Sequence, residues 1–242
     1  MRDVVVLCYH ALSSDWPATL SVRPERFERQ VELMLERGYE PMTFSAALGD
    51  SSPGKKLAIT FDDAFRSVAE IALPILEQLE VPATMFAVTT FAAEGRPLFW
   101  DGIDHWRGGP HDGELASMSW DELRALEEKG WEIGSHTSSH PHLTALSGAD
   151  LAAELGGSRS ECEAALGHAC TAIAYPYGDV DARTVAAARD AGYATGAALP
   201  PRLHRGRPLE WPRIGVFWND DLDRFKLKVS RAVRLARTLL RR

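Results

Sequence analysis

Short, uninterrupted apolar runs alternate with helical patterns from one end of this sequence to the other. Candidate strands lie at 4–8, 57–61 (Leu-Ala-Ile-Thr-Phe), 83–88, 131–134, 171–175, 193–198 and 214–217. Apolar runs of this length without polar alternation fit strands covered on both faces of a parallel sheet. Between them the patterns predict helices over 24–37, 67–79, 119–129, 149–166 and 182–191. Pro24 opens the first, with Phe27, Val31 and Leu35 on one face and Gly38 as its stop. Ser119-Trp120-Asp121-Glu122 is a capping-box pattern at the start of the third. Strand–helix alternation around one core implies an α/β fold with a mostly parallel sheet, open or closed into a barrel. A length of 242 residues suits one such domain. Nothing approaches 18 consecutive apolar residues, and 45% of the chain is hydrophobic, which excludes disordered, collagen-like and membrane-spanning classes. The stretch 92–118, with Gly95, Gly102, Gly108, Gly109 and Gly113, reads as a long loop, functional or mobile.

The net charge of −7 argues against a nucleic-acid binder, but it hides an asymmetry. Eight Lys/Arg and no acid fall between Arg224 and Arg242. On a helical wheel, Phe225, Val229, Ala232, Val233, Ala236, Leu239 and Leu240 share one side. Arg224, Lys226, Arg231, Arg234, Arg237, Arg241 and Arg242 lie opposite. Residues 222–242 are therefore expected to form a basic amphipathic helix after a catalytic domain at 1–221. It either packs its apolar side on the domain or lies in an anionic membrane surface. Cys8, Cys162 and Cys170 are odd in number and lack CxxC spacing, and the first apolar run is too short for a signal peptide. Both point to a cytoplasmic protein, peripheral on the inner face of the membrane if the tail binds lipid.

Three clusters carry chemistry. Thr60-Phe61-Asp62-Asp63 ends an apolar strand, where α/β folds place catalytic groups, although one Asp could simply cap the next helix. Gly134-Ser135-His136-Thr137-Ser138-Ser139-His140-Pro141-His142 follows another strand. A helical turn or a tight loop there aims His136 and His140 at one point. One carboxylate with two imidazoles is a common ligand set for a divalent metal that keeps positions open. Ala174-Tyr175-Pro176-Tyr177-Gly178-Asp179 follows a third strand, and its two aromatics around a proline make a rigid wall suited to a sugar ring.

In order and spacing, TFDDA (60–64), HTSSHP (136–141) and AYPYG (174–178) resemble the motifs of the polysaccharide deacetylases, the family 4 carbohydrate esterases with a NodB-type homology domain. Tyr9-His10 and Trp211-Pro212-Arg213-Ile214 resemble a bacterial subgroup, so the likeness spans roughly 3–218. The resemblance implies a distorted (β/α) barrel of mostly parallel strands with a divalent metal, Zn2+ foremost, at the strand ends. It makes Asp63, His136 and His140 the ligands, Asp62 the catalytic base and the Tyr177 backbone N–H an oxyanion donor. His10, Tyr175, Pro176 and Tyr177 would contact the substrate. The implied reaction removes an N-acetyl group from an amino sugar in a glycan, glycolipid or cell-envelope precursor, releasing acetate.

Three departures stand out. Ala64 replaces the family's usual Gly, which is expected to alter only the turn. Ala174 stands where many members carry an Arg that braces the base, and Arg213 is expected to supply that charge instead. No Leu-x-His follows the third motif; Leu203-His204 is off by one residue, which leaves His10 and His142 as candidate general acids. Trp120 and Trp131 read as core, His105, His111 and His168 as loop or surface, and Phe99-Trp100-Asp101 as loop residues that could line a cleft. The competing functions are hydrolysis of another non-peptide C–N bond at the same site and a glycan-binding module without turnover.

Overall fold

The structure, a computed structural model, describes residues 2–200 and 206–239, the side chains of 237–239 excepted. In chain order the strands are β1 (Arg2–Tyr9), β2 (Ala11–Leu12), β3 (Ser21–Val22), β4 (Glu40–Met42), β5 (Gly54–Asp63) and β6 (Thr84–Ala87). They continue with β7 (Glu132–Ser135), β8 (Ala172–Ala174), β9 (Thr195–Ala198), β10 (Trp211–Pro212) and β11 (Ile214–Gly215). The main sheet runs β10-β9-β8-β7-β6-β5-β1-β11, parallel throughout, with β4 paired to the start of β5. The continuous apolar runs are thus parallel strands, as expected, and the sheet curls into a nearly closed barrel with helices outside.

One short segment joins the two edges. Arg213 alone separates β10, which pairs with β9, from β11, which pairs with β1. The Arg213 amide donates to Ala198 O at 3.0 Å, and the Val216 amide donates to Cys8 O at 2.9 Å. The ring therefore closes through residues 211–216, with Arg213 at the changeover.

Strand alternation divides two environments. Val5, Leu7 and Tyr9 of β1 and Leu57, Ile59 and Phe61 of β5 belong to the large core shared with the helices. Val6, Ala58, Phe86, Ala172, Ala174 and Ala197 form a separate interior cluster of mostly small side chains. Gly134 is required there, because a Cβ would lie 2.7 Å from the Phe86 ring and 2.9 Å from Ala172 O. Outside, Pro24–Glu36 buries Phe27, Val31 and Met34. Trp131 is buried and stacks on Phe61 at 5.5 Å, and Trp120 is half-buried against the core. The capping box forms: the Ser119 amide donates to Glu122 Oε2 at 2.7 Å, and Ser119 Oγ accepts from the Glu122 amide at 3.4 Å.

Three expectations change. The helix predicted at 67–79 starts as a π turn, Val68–Ala72, and continues as Leu73–Gln78. Pro74 has no N–H for an α-helical bond, which accounts for a wider turn before it. The segment 92–118 is ordered: the Leu98 amide donates to Leu115 O at 2.7 Å, and the Met118 amide donates to Ala64 O at 2.9 Å. Short helical turns at Asp104–Trp106 and Asp112–Leu115 lie between those anchors, and Leu98, Ile103 and Leu115 are buried. The tail is two helices, Leu222–Val229 and Arg231–Leu239, broken at extended Ser230, whose carbonyl accepts the Arg234 amide at 2.9 Å. Phe225 and Val229 sit in the main core, so the first helix packs on the domain. Its cations face acids: Arg224 and Lys228 pair with Asp220 at 3.1 and 2.5 Å, and Lys226 with Asp223 at 3.0 Å. Arg234 in turn pairs with Asp3 at 3.0 Å.

Phe225→Ala is expected to cost about 3–5 kcal/mol in urea unfolding, as a fully buried ring should. A loss below about 1 kcal/mol would mean that the helix is merely appended to the barrel.

Candidate active site

The chemistry-bearing residues collect where the parallel strands end. His10 follows β1, Asp62 and Asp63 close β5, His136 follows β7, Tyr177 lies past β8 and Arg213 sits in the closing segment. Loops at the C-terminal rim of such a barrel are free to carry function while the strands stay rigid. Here the loops are also strained. Asp63, Ala64, Thr137, His140 and Tyr177 all have φ between 58° and 74°, the left-handed region. Each non-glycine residue there costs about 1–2 kcal/mol. Ala64, with φ 62°, occupies a position where glycine is free of that cost; burial of its methyl, worth about 0.8 kcal/mol, is a partial offset. Gly178 has no such alternative: φ is +69°, and a Cβ would lie 2.6 Å from Leu199 O.

The second motif is a tight loop rather than a helical turn. The Thr137 amide donates to Ser135 Oγ at 3.0 Å, and the His140 amide donates to Thr137 Oγ1 at 3.1 Å. That folding brings both imidazoles to one carboxylate: His136 Nε2 lies 3.2 Å and His140 Nε2 3.4 Å from Asp63 Oδ1. His136 Nδ1 is 2.9 Å from Ala174 O. A carbonyl can only accept, so Nδ1 carries the hydrogen, and in the neutral ring the Nε2 lone pair faces Asp63. Asp63 Oδ1 is buried and has no hydrogen bond. Burial alone would lower the His136 pKa, yet the carboxylates of Asp62 and Asp63 hold it above its ordinary value. Burial also opposes ionisation of Asp63, but contacts with His136 and His140 keep its carboxyl well below the usual range. Three buried lone-pair donors thus converge on a point that favours positive charge, which fits a divalent cation. Among the described residues Cys8, His10 and Asp62 also lie close enough to share an ion. Asp62, however, already faces a guanidinium, which would repel one.

That guanidinium is Arg213. Its Nη1 and Nη2 donate to Asp62 Oδ1 and Oδ2 at 2.6 and 2.7 Å, a bidentate pair, and both side chains are buried. Arg213 Nη1 also donates to Thr60 Oγ1 at 3.0 Å, which donates on to Leu7 O at 2.7 Å. Cys8 Sγ donates to Asp62 Oδ2 at 3.5 Å. Burial raises the Asp62 pKa, but Arg213 prevails and holds it below the usual carboxylate range. Arg213 thus stands in the position expected for the charge that Ala174 cannot supply.

Asp62, Asp63, His136 and His140 open onto a cavity of about 400 Å³, with His10 on the same wall. Its other walls include Trp100, His105, Trp106, Tyr177 and Phe217. His10 Nε2 lies 4.0 Å from Asp62 Oδ2; burial pushes its pKa down against the pull of Asp63 and Asp62. Tyr177 is 43% exposed and belongs to the wall, whereas Tyr175 is fully buried, its hydroxyl donating to Leu209 O at 2.8 Å. Tyr175 and Pro176 are therefore not on the cavity wall, a correction to the expected substrate contacts: strand alternation turns Tyr175 toward the outer core. His142 stacks on Tyr177 at 4.0 Å, away from the cavity. Leu203-His204 lies outside the described residues. His105, expected in a loop or at the surface, is exposed in the Asp104–Trp106 turn and also lines the cavity, as do Trp100 and Asp101; exposed Phe99 does not. His111 packs against Trp106, and exposed His168 pairs with Glu127. Cys8 and Phe217 were not singled out in the sequence. Cys8 could have been found by register, since it pairs with Thr60, two residues before Asp62.

A family model described as polysaccharide deacetylase matches residues 49–196. The Bacillus subtilis protein YxkH is 25% identical over 201 residues, 81% of this chain and 64% of its own length. A Staphylococcus aureus poly-beta-1,6-N-acetyl-D-glucosamine N-deacetylase is 25% identical over 204 residues, 79% of this chain and 65% of its own. The chain thus spans 64–65% of the length of these curated relatives. In fold it is similar to the Streptococcus pyogenes deacetylase PplD, solved with acetate, at 23% identity and a TM-score of 0.77, covering 94% of this chain and 98% of that one. IcaB from Ammonifex degensii is 22% identical with a TM-score of 0.76, covering 96% and 97%.

Arg213→Met is expected to destabilise the protein by about 3–5 kcal/mol by leaving Asp62 buried and uncompensated. Adding Asp62→Leu should recover most of that loss, because both charges then leave together. If the double variant is no more stable than Arg213→Met, the destabilisation does not come from the orphaned carboxylate.

Proposed function

We propose that this chain, which belongs to the polysaccharide deacetylase family, is a metal-dependent hydrolase that removes the N-acetyl group from an amino sugar in a glycan, glycolipid or cell-envelope precursor. The observation that carries this reading is the pairing of two differently poised carboxylates. Asp63 is left open between two imidazoles, and its neighbour Asp62 is fixed by Arg213 at the same cavity wall.

Asp63, His136 and His140 would hold the cation, and their mixed imidazole–carboxylate set suits Zn2+. When bound, the cation supplies Lewis acidity, polarising the acetyl carbonyl and making a water molecule acidic enough to attack at neutral pH. Asp62 accepts the proton of that water as its oxygen bonds to the carbonyl carbon. Arg213 keeps Asp62 ionised beforehand and fixes both of its oxygens. The backbone N–H of Tyr177 serves the developing oxyanion. The C–N bond then breaks, and the nitrogen takes a proton to leave as a free amine beside acetate. His10 lies 4.0 Å from Asp62 and faces the cavity, which supports it over His142 as the group that hands this proton on. The aromatic walls of Trp100, Trp106, Tyr177 and Phe217 suit the C–H faces of a sugar ring. The substrate named for the Staphylococcus aureus relative makes β-1,6-linked N-acetylglucosamine oligomers the first to try. Asp62→Asn should bind Zn2+ yet release acetate at least about 10²-fold more slowly than wild type. Wild-type turnover by that variant overturns the mechanism. Metal binding without acetate release from any acetylated glycan or glycolipid would favour a binding module.

We further propose that the second tail helix contacts an anionic membrane surface. Leu235, at the edge of the apolar side, is 53% exposed, and Ala232 and Ala236 on it are exposed while Val233 is half-buried, so part of that side is left uncovered. Arg237, Arg241 and Arg242 accompany it in sequence, giving charge complementary to acidic headgroups. The full chain should sediment with phosphatidylglycerol vesicles and not with phosphatidylcholine, and Leu235→Glu should release it. Equal behaviour with both lipids, or of both proteins, removes the proposal.

A further inference from the structure

The two imidazoles beside Asp63 are held by different means. His136 is anchored through its second nitrogen, with Nδ1 2.9 Å from Ala174 O. His140 has no equivalent: its Nδ1 is buried and without a hydrogen-bond partner. Metal-ligating imidazoles are ordinarily oriented through that second nitrogen, and losing the anchor weakens the site.

What His140 has instead is aromatic contact. The Trp100 ring stacks on its imidazole with centroids 4.1 Å apart and planes 25° from parallel. Tyr177 meets the same imidazole edge-on at 4.6 Å. Trp100 is in turn fixed by Phe91, edge-to-face at 5.5 Å, and by its own carbonyl, which accepts the amides of Ile103 and Asp104 at 3.2 and 3.1 Å. The 98–115 pairing at the neck of the segment holds this arrangement against the barrel rim.

We propose that Trp100 is a positioning residue for His140, its indole doing by stacking what the Ala174 carbonyl does for His136 by hydrogen bonding. This rests on reading Asp63, His136 and His140 as the metal site. It adds that the 92–118 segment, so far only a cavity wall, sets how tightly the ion is held. Ring stacking of this kind is worth roughly a two- to tenfold change in affinity, and removing an outer support of a metal ligand typically costs 10–100-fold.

The test is the zinc dissociation constant of the full chain, measured by competition with a chromogenic chelator, together with the visible spectrum of the cobalt-loaded protein. Trp100→Ala and Trp100→Leu should each weaken zinc binding by about tenfold or more and shift the cobalt bands. Leucine fills the space without a ring, so it separates stacking from packing. Trp100→Phe should restore most of the affinity. Phe99→Ala, next to Trp100 in sequence but exposed and off the cavity wall, should leave it unchanged. If wild type binds one zinc per chain and both ring-less variants hold it equally tightly, Trp100 has no such role while the metal site stands. If wild type binds no zinc, the metal reading itself falls and takes this one with it.

Discussion

The carboxylate of Asp62 and the guanidinium of Arg213 are both removed from water, at a cost of several kilocalories per mole for each ion. Only the bidentate geometry and the further bonds to Thr60 and Cys8 offset that. As stabilisation this is a poor bargain compared with an apolar pair of the same volume. As a constraint it is strong. The pair ties β5 to the closing segment from inside the barrel, fixes the position of Asp62 to within hydrogen-bond tolerance and keeps it ionised. Asp63, next in sequence, is thereby turned the other way, toward the imidazoles.

The site around that pair accumulates backbone cost. Five left-handed non-glycine residues sit in the three motif loops; among the described residues only Glu80 shows the same feature elsewhere. Strain of this kind persists where surrounding structure over-determines it. Here the supports are visible: the Ser135 and Thr137 hydroxyls inside the second motif, and the Leu199 carbonyl pressed against Gly178. The interior cluster beneath is mostly alanine, with Val6, Phe44 and Phe86, which leaves room for Arg213 to enter; its guanidinium lies 5.6 Å from the Phe86 ring centre.

Much of this was legible from residue order alone. Uninterrupted apolar runs marked every long strand, and the motif carboxylates and histidines meet as their spacing implied. What escaped has physical causes. A uniformly apolar run does not say which residues point inward: the third motif suggests Tyr175 toward the substrate, whereas alternation sends it to the outer core, and Cys8 lies beside Asp62 with no motif to mark it. Glycine-rich composition made 92–118 look loose, whereas paired amides at its neck and buried Leu98, Ile103 and Leu115 order it. The helical wheel over 222–242 registered amphipathicity but not that extended Ser230 would split it, with the two halves in different surroundings.

The closing segment has a consequence for when the site comes into being. All three residues around the proposed ion, and Asp62 itself, lie in the first 140 positions, but the counter-charge for Asp62 is at 213. During synthesis, a chain emerging from the ribosome carries the ligand residues long before it carries the guanidinium that makes a buried Asp62 tolerable. A chain interrupted before residue 211 also has β1 and β9 as unpaired edges. Completion of the ring and supply of the counter-charge to Asp62 therefore come together, delivered by the six residues 211–216.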